Sequence, residues 1–287
     1  MGTDELQRLH ETFLYPVVRV FGKKGAGSGT LIYSKEDPKN KGDFLSFVLT
    51  NHHVVEDCIE YKKEWDSVVK KDVEKEFKDR PHVETFSYVR ESTVDSSNRY
   101  QADIIAYDKN EDLAVLRVDS PRQFPVVATL IPREEIKGLR LFMDVVTSGC
   151  SMSHDPFCNF GQITYLKEMI ENKLYLMANS GMIFGNSGGA LFLKDNGWMI
   201  GVPSRLQGVQ LGLGVDMITF MGFSAHPERI YEFIDAQELK FIYDPKDNYH
   251  KAMYRRKNKE KEGILSLKAQ LLSQGDKKEG QSGGESE

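Results

Sequence analysis

At 287 residues, 40% of them apolar and 28% charged, the chain is long enough for one sizeable core, or two small ones, plus a tail. A formal net charge of −5 gives no reason to expect nucleic acid as a partner. The three cysteines, Cys58, Cys150 and Cys158, form no disulfide framework and lack zinc-site spacing; free thiols are the expectation and a Cys150–Cys158 bridge the alternative. The start of the chain lacks the uninterrupted apolar run of a secretory signal, and no stretch reaches the length of a membrane span, so a soluble cytoplasmic protein without a membrane partner is expected.

"DELQRLHETFL" places Leu6, Leu9 and Phe13 at three- and four-residue steps, which predicts a short lead-in helix stopped by Pro16. "VVRVF", "GTLIYS", "FLSFVLT", "ADIIAYD", "LAVLRV" and "FPVVATL" follow, and later "DVVTSG", "GQITYL", "KLYLMAN", "GALFL", "WMIGVP" and "DMITFMGFS". Each run is short, rich in β-branched or aromatic residues and bounded by Gly, Asp, Asn, Pro or Lys. So many strands with so little helix between them predict antiparallel β-barrels or a sandwich. The glycine-rich "GKKGAGSG" lacks the lysine-serine ending of a phosphate-binding loop and is expected to join two strands.

Two segments interrupt the strand pattern. Residues 59–82 set Trp65, Val69, Val73 and Phe77 four apart among Lys and Glu, which predicts an inserted amphipathic helix on a barrel flank, with partner docking as the lesser reading. From Pro227, "PERIYEFIDAQEL" predicts a closing helix with Ile230, Phe233 and Ile234 inward. The basic run Lys251–Lys261 reads as solvated linker, "EGILSLKAQLL" as another short helix, and the Gly/Ser-rich end as disordered. The division expected is residues 1–240 as one domain, with barrels over about 14–125 and 126–225 and a closing helix over about 227–240, then a charged, partly disordered tail over 241–287.

"MIFGNSGGALFL" puts Ser187 among three glycines just before a strand. A surface turn would account for it, and so would a nucleophile beside oxyanion-binding amides. Serine-based acyl transfer also needs an imidazole to take the hydroxyl proton and a carboxylate to orient that imidazole. "FVLTNHHVVEDC" offers His52 and His53, either of which could be a satisfied core residue. "ADIIAYDKNEDLAVLRVD" offers Asp112 at the buried entry of a strand, with Asp108, Glu111 and Asp119 as competitors and turn capping as the plainer role.

Taken together, "GSGTLIYS", "LTNHHVV", "DLAVLRV", "GNSGGALF", "WMIGV" and "GFSAH" resemble, in order, a trypsin-like serine peptidase of the HtrA/Deg type over about Val17 to Ala225, with residues 59–100 as an insertion. The resemblance implies an all-β fold of two six-stranded antiparallel barrels carrying the inserted and C-terminal helices. It implies a serine endopeptidase with His53 as base, Asp112 as orienting acid and Ser187 as nucleophile. It places the oxyanion hole at the amides of Gly185 and Ser187, with Asn186 shaping the turn. It puts the floor of the substrate pocket at Gly181 and its lining at Met182, Val202, Pro203, Ser204, Phe220 and Gly222. No carboxylate stands at the floor, so cleavage after a medium or large uncharged residue is expected, or after an acidic one if Arg205 points inward. The chain departs from the family at "GCS", Gly149 to Ser151, and at "NSGMIF", Asn179 to Phe184. Protein or peptide substrates follow, with no metal and no cofactor. A catalytically silent binding scaffold and a protease latent until an activating partner orders its loops are the competing readings.

Overall fold

The computed structural model describes residues 2–66, 71–89, 93–212 and 214–262, and the chain divides into two compact units, Met1–Glu60 with Glu76–Phe233 and Tyr61–Lys75 with Ile234–Glu287. The first unit begins with α1 (Thr3–Leu9), continued by a π-turn over His10–Leu14 in which the Tyr15 N–H donates to the His10 carbonyl. The amphipathic lead-in holds on through its last turn: Phe13 is buried with its ring centroid 5.4 Å from that of Phe192, while Leu6 remains exposed.

The next strands are β1 (Val17–Phe21), β2 (Ala26–Glu36) and β3 (Phe44–Thr50), followed by the single turn α2 (His52–Val55). A separate two-stranded ribbon comes next, β4 (Ile59–Asp66) with β5 (Lys71–Lys78). β6 (His82–Val89), β7 (Thr93–Asp108) and β8 (Leu113–Val118) then complete a closed barrel in the order β1-β2-β3-β8-β7-β6. Every pairing in it is antiparallel, and β6 closes onto β1 with Val83 opposite Val20. Inside lie Val18, Val20, Leu31, Val48, Val83 and Leu116, the apolar residues that alternation turns inward.

Two expectations are corrected. The inserted helix at 59–82 is a β-ribbon: residues 65, 73 and 77 recur every four or eight positions, and a spacing of four puts side chains on one face of a helix and equally on one face of a strand. The position of Val69 lies outside the described residues. Nor is 59–100 wholly an insertion, because β6 and the first half of β7 are barrel strands. Their polar sequence, "HVETFSYV" then "TVDSSNRYQ", hides them.

The second barrel uses β10 (Asp144–Gly149), β11 (Phe157–Ile170), β12 (Lys173–Ala178), β13 (Ala190–Leu193), β14 (Trp198–Leu211) and β15 (Gly214–Ala225). Their order is β13-β10-β11-β12-β15-β14, closed by the β13–β14 pairing. Of the strand expected at "FPVVATL" only the two-residue β9 (Thr129–Leu130) forms, and it lies parallel to β14 outside that ring. The expected pair of six-stranded antiparallel barrels is therefore present. α3 (Pro227–Ala236) follows with Ile230, Phe233 and Ile234 buried, as its periodicity predicts.

In the second unit the basic run is not linker but part of a helix, α4, over residues 249–262. Its arginines are used within the chain. Arg255 bonds both the Glu238 carboxylate at 2.9 Å and the Asp247 carboxylate at 2.5 Å, and Arg256 donates to the Gln237 carbonyl. The helix expected at "EGILSLKAQLL" and the disordered end lie outside the described residues.

Candidate active site

β3 ends at Thr50, and Asn51, extended at φ −82° and ψ 151°, turns the chain into α2, which carries both histidines. They face different surroundings. His52 is buried, its ring stacked 5.2 Å from Tyr107, and burial holds its pKa below the ordinary value. His53 turns toward Asp112, with Nδ1 2.9 Å from each carboxylate oxygen, and its backbone N–H donates to Oδ1 at 3.0 Å. A carboxylate only accepts, so Nδ1 carries the proton and the neutral ring keeps Nε2 as a free base. Ser204 adds a further donor, its Oγ 2.7 Å from Asp112 Oδ2. Burial works to raise the Asp112 pKa, but the His53 ring, the His53 amide and the Ser204 hydroxyl together hold it below the ordinary carboxylate value. The competing carboxylates are occupied elsewhere. Asp108 caps the turn through the amides of Asn110 and Glu111, Asp119 pairs with Arg80, and Glu111 pairs with Arg229.

The loop before β13 owes its shape to glycine. Gly185 and Gly188 have φ of +97° and +85°, the region that side-chain-bearing residues avoid. A Cβ on Gly188 would lie 2.2 Å from the Ser28 carbonyl oxygen and 2.3 Å from Thr50 Oγ1. Within the turn, amides alternate in their use. Asn186 N–H donates to the Ile183 carbonyl, Gly188 N–H to Pro203 and Gly189 N–H to Asn186. Among the described residues the N–H groups of Gly185 and Ser187 have no protein acceptor. Asn186 also accepts the Ile183 N–H on Oδ1, so it braces the turn from within.

The carbonyls opposite those free amides are tied down. The Met152 N–H holds the Phe184 carbonyl at 2.9 Å, from a left-handed backbone at φ +51°. Ser28, fully buried on β2, does more. Its Oγ donates to the Gly185 carbonyl at 2.6 Å and accepts the Cys150 N–H at 2.7 Å, while its N–H donates to the Ser187 carbonyl at 2.8 Å. Each peptide is planar, so the Phe184 carbonyl orients the Gly185 N–H, and the Asn186 carbonyl, which accepts the Gly189 N–H at 2.9 Å, orients that of Ser187. The two carbonyls that Ser28 holds belong to the next peptides, Gly185–Asn186 and Ser187–Gly188, and fix the same two residues from their other side.

His53, Gly185 and Ser187 line one cleft of about 460 Å³, with Gly27, Val54 and Glu56. The residues expected to line the substrate pocket divide. Met182 is 2% exposed, with its sulfur where a Gly222 side chain would begin, 2.2 Å from the position of a Cβ there. Val202 is buried, Pro203 accepts the Gly188 amide, and Phe220 is 63% exposed. Gly181 is held by Asn159 Nδ2 on its carbonyl, at 2.7 Å. Ser204 turns its hydroxyl to Asp112, and Arg205 turns to Glu171 at 2.6 Å. The cysteines are free thiols, and burial raises the pKa of Cys58 to about 11, of Cys150 to about 12 and of Cys158 to about 11.

Sequence reasoning missed three residues bonded to the loops of this site: Ser28, Asn51, whose Nδ2 donates to the Asp112 carbonyl at 2.7 Å, and Arg229, which bonds Glu111. Ser28 stood in the quoted "GSGT" and Asn51 in "LTNHHVV", yet only the fold says what their side chains reach. Nothing in "PERIYEF" distinguishes Arg229 from a surface arginine.

Two closed antiparallel barrels with these groups in one cleft define the fold class of the trypsin-like proteases. A family model described as trypsin-like peptidase domain matches residues 27–202, more than half of the chain, and the protein belongs to that family. Among solved structures, an HtrA-type protease, AlgW, with a bound tripeptide aligns with a TM-score of 0.54 at 16% identity, a likeness of fold. The alignment covers 82% of this chain and 64% of that one, so this chain spans less than two thirds of its length. No curated protein sequence matches. No helix among the described residues is long and apolar enough to cross a membrane.

Proposed function

We propose that the protein is a serine endopeptidase acting through His53, Asp112 and Ser187. The observation that carries this reading is the His53 ring, bonded through Nδ1 to both oxygens of Asp112 and lining one cleft with Ser187 and two unused backbone amides. In the first step Ser187 Oγ attacks the peptide carbonyl carbon and its proton passes to His53 Nε2. Asp112 stabilises the resulting imidazolium. The carbonyl oxygen becomes an oxyanion between the Gly185 and Ser187 N–H groups, each worth about 3 kcal/mol of transition-state stabilisation in sites of this kind. His53 then returns the proton to the leaving nitrogen, the C–N bond breaks and an acyl-serine remains. Water, deprotonated by the same imidazole, releases the acid and restores Ser187.

The packing of Met182 against Gly222 supports a small uncharged side chain before the cut, smaller than the sequence suggested. With Arg205 paired to Glu171, nothing favours an acidic one. A fluorophosphonate probe tests the reading: it should label the wild type at Ser187 and leave Ser187→Ala unlabelled. A protein that takes no label and cleaves no member of a peptide library is a silent scaffold.

A second reading, a protease gated by a partner, rests on one feature. The Phe184 carbonyl is fixed by Met152, whose side chain is 64% exposed and whose backbone, like that of Ser153 at φ +63°, is left-handed. Such a backbone costs about 1–2 kcal/mol per residue and persists only if the surroundings maintain it. Full-rate cleavage by the purified protein alone refutes the gate.

A further inference from the structure

A buried cation holds the turn that ends at Asp112. Arg229, in α3, is 4% exposed. Its Nε lies 2.7 Å from the Glu111 carboxylate, one terminal nitrogen 2.7 Å from the Glu111 carbonyl, and the other 3.1 Å from the Leu174 carbonyl. The guanidinium also lies over the Tyr175 ring, 4.5 Å from its centroid. Taking a charge out of water costs several kcal/mol unless a partner and good hydrogen bonds offset it. Tying α3 to the second barrel needs only the Leu174 bond and the ring. The two shorter bonds both go to the residue immediately before Asp112.

The Glu111 carbonyl belongs to the peptide whose rotation defines φ of Asp112. That φ is +54°, left-handed, in a residue that has a side chain. The N–H of Glu111 is held by Asp108 Oδ1 at 3.0 Å, and the carbonyl of Asp112 itself by Asn51 Nδ2 at 2.7 Å. The peptides on both sides of Asp112 are thus fixed, one by Arg229 and the other by Asn51. A left-handed backbone is maintained only by such bracing. Release of the Glu111 carbonyl lets the turn relax to negative φ and swings the carboxylate away from Nδ1 of His53.

We propose that Arg229 is a positioning residue for the acid of the catalytic site, acting through the Glu111–Asp112 peptide rather than on substrate. The kinetic consequence rests on the endopeptidase reading; the structural one does not. In active-site-titrated enzyme, Arg229→Met lowers kcat by about 10²-fold, the size expected of a misplaced catalytic group, with KM changed less than about twofold. Arg229→Lys, which keeps a charge and can reach one acceptor without the fork, loses about tenfold. In an Asp112→Asn background Arg229→Met causes no further loss, because the group it positions has already been disabled. An independent readout uses Ser187→Ala protein. The downfield NMR signal of the His53 Nδ1 proton, present with Arg229, broadens into exchange with water in Arg229→Met.

Retention of wild-type kcat in Arg229→Met, an equal loss in the Asp112→Asn background, or an unchanged Nδ1 proton signal overturns the proposal. If Arg229→Met does not fold, Arg229→Lys carries the same comparisons. If the wild type neither takes a fluorophosphonate nor cleaves peptides, the endopeptidase reading fails, and the NMR signal still decides the role of Arg229.

Discussion

Ser28→Ala separates support of the oxyanion amides from support of the fold. The hydroxyl removed is fully buried, 2.6 Å from the Gly185 carbonyl and 2.7 Å from the Cys150 amide. Its loss strands one acceptor and one donor away from water, each costing about 1–3 kcal/mol, so stability should fall by about 2–4 kcal/mol after local relaxation. A domain with about 5–15 kcal/mol in hand still folds. The second effect is on rate. Release of the Gly185–Asn186 peptide frees ψ of Gly185, whose own N–H sits in the neighbouring peptide across the same Cα, and kcat falls toward the loss of about 10²–10³-fold that follows when one such donor is removed outright. Urea unfolding gives the first number. Active-site-titrated kinetics gives the second, as does the affinity of a peptide boronate, which forms a tetrahedral adduct with serine. Ser34→Ala is the control. It removes another buried, doubly bonded hydroxyl, 2.9 Å from Ser46 Oγ and 2.9 Å from the Phe124 amide, elsewhere on β2. It should cost similar stability and leave kcat alone. If both variants lose stability alike and both keep their rate and boronate affinity, Ser28 is an ordinary core residue and the reasoning is wrong.

Three further outcomes are expected. Asp112→Asn should lower kcat by about 10⁴-fold, measured by single-turnover acylation, because the amide presents the wrong hydrogen-bonding partner to Nδ1; a loss below tenfold contradicts the assignment. His226 is buried and burial lowers its pKa to about 4 from 6.5, so between those values the unfolded chain binds a proton that the folded one does not. Stability should therefore decline as pH falls from 6.5 to about 4, and urea titrations of His226→Asn should show a shallower decline there. Met182→Ala empties the space beside Gly222. It should cost about 2–5 kcal/mol and shift cleavage in a peptide-library digest toward larger side chains before the cut; an unchanged preference means that the pocket lies elsewhere.

Local chemistry wrote much of this protein into its sequence. Short apolar runs bounded by polar or turn residues, such as "FLSFVLT" and "LAVLRV", specify strands, Pro227 and the spacing of Ile230, Phe233 and Ile234 specify α3, and the glycines around Ser187 specify a turn at φ values that side chains avoid. The fourfold spacing of residues 59–82 could not distinguish helix from ribbon, because that interval repeats on one face of both. β6 was hidden because Glu84 and Thr85 are buried among partners, Glu84 against Arg19 and Arg99, that only pairing across the barrel supplies. The direction of a side chain is likewise decided by what the fold brings to it from far along the chain. His53 differs from His52 by the carboxylate it meets, 59 residues away. Ser204 joins Asp112 rather than a pocket, Ser28 reaches Gly185 across 157 residues, and Arg229 reaches Glu111 across 118. Hydrogen bonds and ion pairs act within a few ångströms of space, whatever the separation in sequence, so these contacts exist only once the chain has folded.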